Sequence, residues 1–228
     1  MSRTFLIGGG RDRAGVIASH RPFTEAAGGG AIACVVADEG DGVDAARWAG
    51  GLRGAGAADV QVVALSASRP ARAADVAGAG AVYVAGGLTP LYLRLLVDDA
   101  EPGWLPPGVP YAGFSAGAAV AAARAIVGGW RIGDLPVCAG EASENLDQVE
   151  PRPGLARVPF TVDVHATAWG TLTRLTHAVA AGLVPEGWAV DEHTCLEVED
   201  GEISVQGHGC AYHVTGAGDD VRTRVVRG

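Results

Sequence analysis

Five short apolar runs punctuate the first half of the chain, and their spacing constrains the fold more than any other feature. They cover residues 4–8, 31–37, 59–65, 81–86 and 109–114, are rich in β-branched or aromatic side chains, and end in Gly, Asp or Ser. Runs that are apolar on both faces suit the buried strands of a parallel sheet. Between them, residues 43–54, 69–78 and 89–98 are Ala-, Arg- and Leu-rich and long enough for crossover helices. This alternation predicts an α/β class with a doubly wound, mostly parallel sheet and helices on both faces. Ligands then bind at the carboxyl ends of the strands.

The pattern changes after Val127. Residues 128–159 are rich in Gly, Pro and acids and read as loops with one strand at most. Residues 160–165 read as a strand and 169–183 as an amphipathic helix. From Trp188 to Val214 the chain reads as a β-meander with turns at "EDGE" and "QGHG". No internal repeat or linker divides the sequence, and 228 residues fit one domain, taken as 1–228.

The fifth run leads into Gly113-Phe114-Ser115-Ala116-Gly117, which fits the G-x-S-x-G nucleophile elbow, and an alanine-rich stretch follows. The glycines leave room where strand meets helix, so a serine hydroxyl can project beside free helix N–H groups. The alternative is a plain N-cap serine. The fourth run ends in Ala85-Gly86-Gly87-Leu88-Thr89-Pro90, a turn whose backbone can approach a ligand. With a reactive Ser115, the Gly87 and Ala116 N–H groups become candidates for an oxyanion hole.

A serine nucleophile needs a base. His165 stands at a strand end just before a helix, His177 within a helix, and His193, His208 and His213 in the meander. Asp134, Glu141, Glu144, Asp147, Glu150 and Asp163 lie near the site region, and periodicity does not choose among them.

Composition removes other chemistries. All 17 basic residues are arginine, which excludes a P-loop lysine, a lysine Schiff base and a Ser-Lys pair. The four cysteines lie far apart, so neither a zinc site nor a disulfide framework is indicated. A net charge of -9 argues against nucleic acid and anionic membrane as partners. "GGGRDRAG" supplies Gly8 and Gly10 but places Arg13 where a dinucleotide fingerprint needs a third small residue. With no apolar run near membrane-spanning length and no signal-peptide h-region, the cytoplasm is the expected location.

Four blocks, "AGGLTPLYLRLL", "GFSAGAAV", "VDVHATAWGTLTRL" and "WAVDEHTCLEVEDGEISVQGHGCAYHV", stand in the order found in the peptidase E and cyanophycinase family of serine peptidases, which this chain resembles over residues 4–214. The resemblance implies a class-I glutamine-amidotransferase-like α/β fold. It also implies a hydrolase cleaving an amide in a small peptide or related molecule, with no metal or organic cofactor. Ser115 matches the nucleophile, His165 the base and Gly87 and Ala116 the oxyanion donors. Glu141 falls where the family's orienting acid is expected. Leu88, Thr89, Trp169, Thr171 and Arg174 fall at substrate-binding positions. Where cyanophycinase-like members have two further arginines, this chain has Trp169 and Thr171, so the substrate is expected to be less acidic or more hydrophobic. A homodimer is the candidate assembly. The alternatives are an α/β-hydrolase-type esterase, which shares the elbow, and a non-catalytic binding module on the same fold.

Overall fold

A computed structural model of the chain describes residues 3–228. The five apolar runs form β1 (Thr4–Ile7), β2 (Ile32–Ala37), β3 (Val60–Leu65), β4 (Ala81–Val84) and β5 (Tyr111–Phe114). Short strands follow at β6 (Arg124–Ile126), β7 (Arg131–Ile132), β8 (Leu135–Pro136) and β9 (Pro151–Pro153). The carboxy-terminal part holds β10 (Thr161–Val164), β11 (Gly187–Val190), β12 (Thr194–Glu199), β13 (Glu202–Gly207), β14 (Cys210–Ala217) and β15 (Asp220–Arg227). The α-helices are α1 (Arg13–Ala26), α2 (Ala45–Gly54), α3 (Thr89–Leu93), α4 (Ala116–Val120) and α5 (Thr171–Ala180).

Seven strands make the central sheet in the order β13-β12-β1-β5-β4-β2-β3. The five from β1 to β3 run parallel, and β12 and β13 add antiparallel at the β1 edge. The chain steps from β1 to β2 to β3 in one direction and then returns through β4 to β5. Right-handed crossovers therefore place α1 and α2 on one face and the later connections on the other. β1 and β5 are neighbours whose connections leave toward opposite faces, which opens a crevice at their carboxyl ends. Buried Phe5, Ile7, Val35, Tyr83, Val84, Tyr111 and Val120 belong to the core around this sheet.

β10, β11, β14 and β15 form a second, four-stranded sheet. The expected meander is therefore divided. β12 and β13 complete the central sheet, whereas β11 and β14 pair beside β10, and β15 extends the strands beyond the expected end at Val214. A smaller core of Leu175, Ala178, Val179, Val184 and Val214 lies under α5.

Three local expectations are corrected. Residues 69–78 do not form a crossover helix, and only Ala73–Val76 makes a 3-10 turn. Ala71 instead donates to Leu95 O and accepts from Glu101 N, so its backbone is satisfied by tertiary pairing that ten residues of isolated helix could not outcompete. The segment between β1 and β2, not counted among the helices, forms α1. Asp12 caps it by accepting from Gly15 N at 2.9 Å, and polar Ser19 and His20 on its buried face obscure its amphipathic pattern. The alanine-rich run after the elbow stays helical for five residues only and then turns into β6.

Candidate active site

Ser115 sits where β5 ends and α4 begins, with φ 51° and ψ −112°, a conformation that costs free energy for a side-chain-bearing residue. The surroundings hold it there. Ser115 N donates to Ile7 O at 2.9 Å across the β1–β5 crevice. A Cβ at Gly113 would lie 2.2 Å from Gly117 O, and one at Gly117 would lie 2.3 Å from Val84 O. Both flanking glycines are thus required by close backbone contact, which turns the serine hydroxyl into the crevice.

The hydroxyl meets His165, with Oγ 2.9 Å from Nε2. His165 follows β10 directly, has φ 56° and is buried, and its N–H donates to Gly8 O at 3.0 Å. Its ring lies against the Gly9 backbone, where a Cβ would come within 2.1 Å of Cε1. On the edge away from Ser115, Nδ1 is 2.8 Å from Glu192 Oε1. A carboxylate only accepts, so Nδ1 carries the proton, and Nε2 is left with its lone pair toward the serine. Burial pushes the His165 pKa below its ordinary value of 6.5, an effect partly opposed by the hydrogen bond and charge of Glu192.

Glu192 stands in the turn between β11 and β12. The preceding Asp191 anchors this turn by accepting from Thr167 N at 3.0 Å, Thr167 Oγ1 at 2.7 Å, Cys210 N at 3.1 Å and Tyr212 OH at 3.2 Å. The same acid therefore ties the loop after His165 to the turn carrying Glu192. On the far side His193 N donates to Gly9 O at 2.9 Å, so Gly8 and Gly9 support both turns.

The crevice opens into a cavity of about 1120 Å³ that reaches Ser115, His165, Glu192, Gly87, Leu88 and Trp169. Among the described residues no acceptor engages the N–H of Ala116 or of Gly87. Glu39, which also lines the cavity, accepts from Leu88 N through Oε1 at 2.6 Å and holds the Gly86–Leu88 turn. Glu144 holds the start of α3, accepting from Thr89 N at 3.0 Å and Thr89 Oγ1 at 3.2 Å, and burial raises its pKa. No set of His, Cys, Asp and Glu side chains among the described residues is placed to hold a metal ion. No helix among them is long and apolar enough to cross a membrane.

No protein-family model and no curated protein matches the sequence. Solved structures do match. The chain superposes on a peptidase from an acI-B1 Actinobacterium with a TM-score of 0.66 and 14% identity, covering 100% of this chain and 97% of that one. It superposes on a "Putative Peptidase E Protein" from Listeria monocytogenes EGD-e with a TM-score of 0.58 and 18% identity, covering 91% and 98%. This chain has the peptidase E-like fold.

On that fold the sequence-derived site residues separate into three groups. Ser115, His165, Gly87, Leu88 and Trp169 line the cavity, and the Ala116 N–H lies directly behind the serine. Glu141 does not meet the imidazole. It lies exposed on a 3-10 turn at the cavity rim, and Glu192 occupies the position beside Nδ1. Distance along the chain could not rank these two, because Glu192 arrives through the turn joining two different sheets. Its sequence signal was "DEHT" at a strand end after the histidine.

Three predicted substrate contacts are internal instead. Thr171 is fully buried and donates to Val164 O. Thr89 is buried against Glu144. Arg174 is buried in a bidentate pair with Asp163 (2.9 and 2.7 Å), and its Nη1 donates to Gly129 O at 3.1 Å and Ala142 O at 2.6 Å. Helical spacing turns residue 174 inward, so its cation fastens β10 to the loop bearing Glu141 rather than facing substrate.

Proposed function

We propose that the protein is a serine hydrolase that cleaves an amide bond in a small peptide, using Ser115, His165 and Glu192. The observation that carries this reading is the unbroken chain of two hydrogen bonds, Ser115 Oγ to His165 Nε2 at 2.9 Å and His165 Nδ1 to Glu192 Oε1 at 2.8 Å. It begins at a strained residue in an open cavity. Peptidases among the structures sharing the fold add support.

In this mechanism Ser115 Oγ adds to the scissile carbonyl carbon while its proton passes to Nε2. Glu192 stabilises the imidazolium that results. The Gly87 and Ala116 N–H groups receive the oxyanion. Collapse breaks the C–N bond, and Nε2 returns the proton to the leaving amine. Water, deprotonated by the same nitrogen, then hydrolyses the acyl ester and restores Ser115.

The order along the chain is serine, histidine, acid. α/β-Hydrolases place the acid before the histidine, so this order argues against the esterase alternative. The test is Ser115→Ala. Hydrolysis of a dipeptide library should fall on the order of 10⁴-fold with the melting temperature nearly unchanged, and a fluorophosphonate should label wild type at Ser115 only. Wild-type turnover by the variant would refute the mechanism.

A further inference from the structure

The cavity at Ser115 continues sideways into a second cleft of about 410 Å³ between α1 and α2. The two spaces share Gly10, Arg11, Arg47, Trp48 and Phe114, the last being the residue before the nucleophile. The floor of the cleft is apolar, formed by Val16, Ile17, Leu52 and the edge-on pair Trp48–Phe114, whose ring centroids are 5.8 Å apart.

Its charge has one sign. Arg11, Arg13 and Arg47 line the cleft, all exposed, and among the described residues none has a hydrogen bond or ion pair through its side chain. Arg47 lies over the Trp48 ring at 5.0 Å. The carboxylates nearest in sequence cap the two helices and form no ion pair with these arginines. Asp12 accepts from Gly15 N and Asp44 from Arg47 N, each at 2.9 Å, as the helix caps. Among the described residues the three guanidinium groups form no ion pair, which leaves their donor forks free for an anion.

The cleft is also kept open. Gly50, Gly51 and Gly54 of α2 all line it. A Cβ would meet nothing within 4 Å at Gly50 or Gly54, and only Val16 Cγ1 at 3.9 Å at Gly51. Packing does not demand glycine at these positions, and each weakens the helix relative to alanine. What they provide is space above the apolar floor.

We propose that this cleft receives the leaving-group side of the substrate, an apolar carboxy-terminal amino acid whose free carboxylate pairs with Arg11, Arg13 and Arg47. The planar guanidinium fork matches a carboxylate, and the floor beneath takes the apolar side chain. Nearer Ser115 the lining adds the acids Asp41 and Glu141, with Arg11 and Arg47 at the mouth shared with the cleft. A short zwitterionic peptide is thereby oriented with its amino end toward these acids and its carboxylate toward the arginines. The assignment to the leaving-group side rests on the serine hydrolase reading, and the probes below do not depend on turnover.

Calorimetric titration with N-acetyl-leucine and with N-acetyl-leucinamide tests it, because the pair differs in the terminal charge. Wild type should bind the acid at least about tenfold more tightly than the amide, the size expected of a charge-assisted pair. Arg13→Ala, at an exposed position, should shrink that ratio severalfold, and Gly51→Leu, which fills the cleft, should abolish binding of the acid. Equal affinity for acid and amide, no binding of either, or acid binding unchanged in both variants would overturn the proposal. Labelling of wild-type Ser115 by a small uncharged fluorophosphonate is followed in parallel. Labelling without acid selectivity would end the cleft proposal alone, and selectivity without labelling would end the serine mechanism alone.

Discussion

The indole of Trp169 lies face to face with the His165 imidazole, with ring centroids 3.9 Å apart and planes 8° from parallel. A hydrogen bond from Trp169 N to His165 O at 2.9 Å closes the turn that brings the rings together. The indole covers one face of the imidazole and the Gly9 backbone packs close to its Cε1, which restrains the ring in line with Ser115. In the proposed mechanism the aromatic face also attracts the imidazolium formed as the serine loses its proton. Trp169→Phe should keep most activity, whereas Trp169→Ala should lower kcat about tenfold, roughly 1.4 kcal/mol of barrier. Steady-state kinetics of both variants checks this, and equal kcat values would mean that the stacked ring plays no part.

Two acids that line the cavity make opposite predictions. Glu192→Gln keeps the shape but lets the amide favour the wrong imidazole tautomer, so kcat should fall by about 10³ to 10⁴. Glu141→Gln, exposed at the rim without a bond to His165, should stay within a few-fold of wild type. The comparison needs only initial rates on one substrate and melting curves to verify folding.

The pH profile follows from the burial of His165. In the proposed mechanism the neutral imidazole is the base, so kcat/KM should fall as pH drops through the pKa of His165 in the free enzyme. Burial lowers that value from 6.5, so the acid limb should lie below pH 6.5. The sign for stability agrees. Between the lowered native value and 6.5 the unfolded chain binds a proton that the native chain does not, so His165 makes stability decline as pH falls through that window. A pH–rate profile with its acid limb above 6.5 would contradict the assignment.

Arg174 should behave as a structural cation. Removing it leaves Asp163, itself 1% exposed, as an unpaired buried charge. Arg174→Ala should cost about 3–5 kcal/mol of stability, the usual penalty for breaking a buried pair. Denaturant unfolding measures that loss. A variant of wild-type stability with a raised KM would return Arg174 to the substrate pocket.

Much of this protein is local, and what is local was legible. The five parallel strands could be located because a strand buried on both faces must be apolar at every position. The elbow was visible because its two glycines answer contacts made within a few residues of the serine and against the neighbouring strand. His165 could be singled out by its place at a strand end just before a helix, although that strand, β10, proves to belong to the second sheet. The Ser115–His165 pair that the structure brings within hydrogen-bond distance, and the fold class, were therefore written in short stretches of residues 4–165.

The tertiary structure decided everything that depended on how distant segments meet. The acid beside His165 is Glu192, 27 residues further on, because the last strands divide between two sheets and their connecting turn passes over the imidazole. Glu141 precedes the histidine by a similar distance and ends at the rim. A carboxylate in a loop carries no periodic signature, and its partner is set by the path of the backbone. Arg174 and Thr171 look like pocket residues in one dimension and are buried in three, since their helix packs on the second sheet. Strand and elbow announce themselves in short runs of residue types, whereas a carboxylate that meets a histidine needs only the right position in space, which only the packed chain supplies.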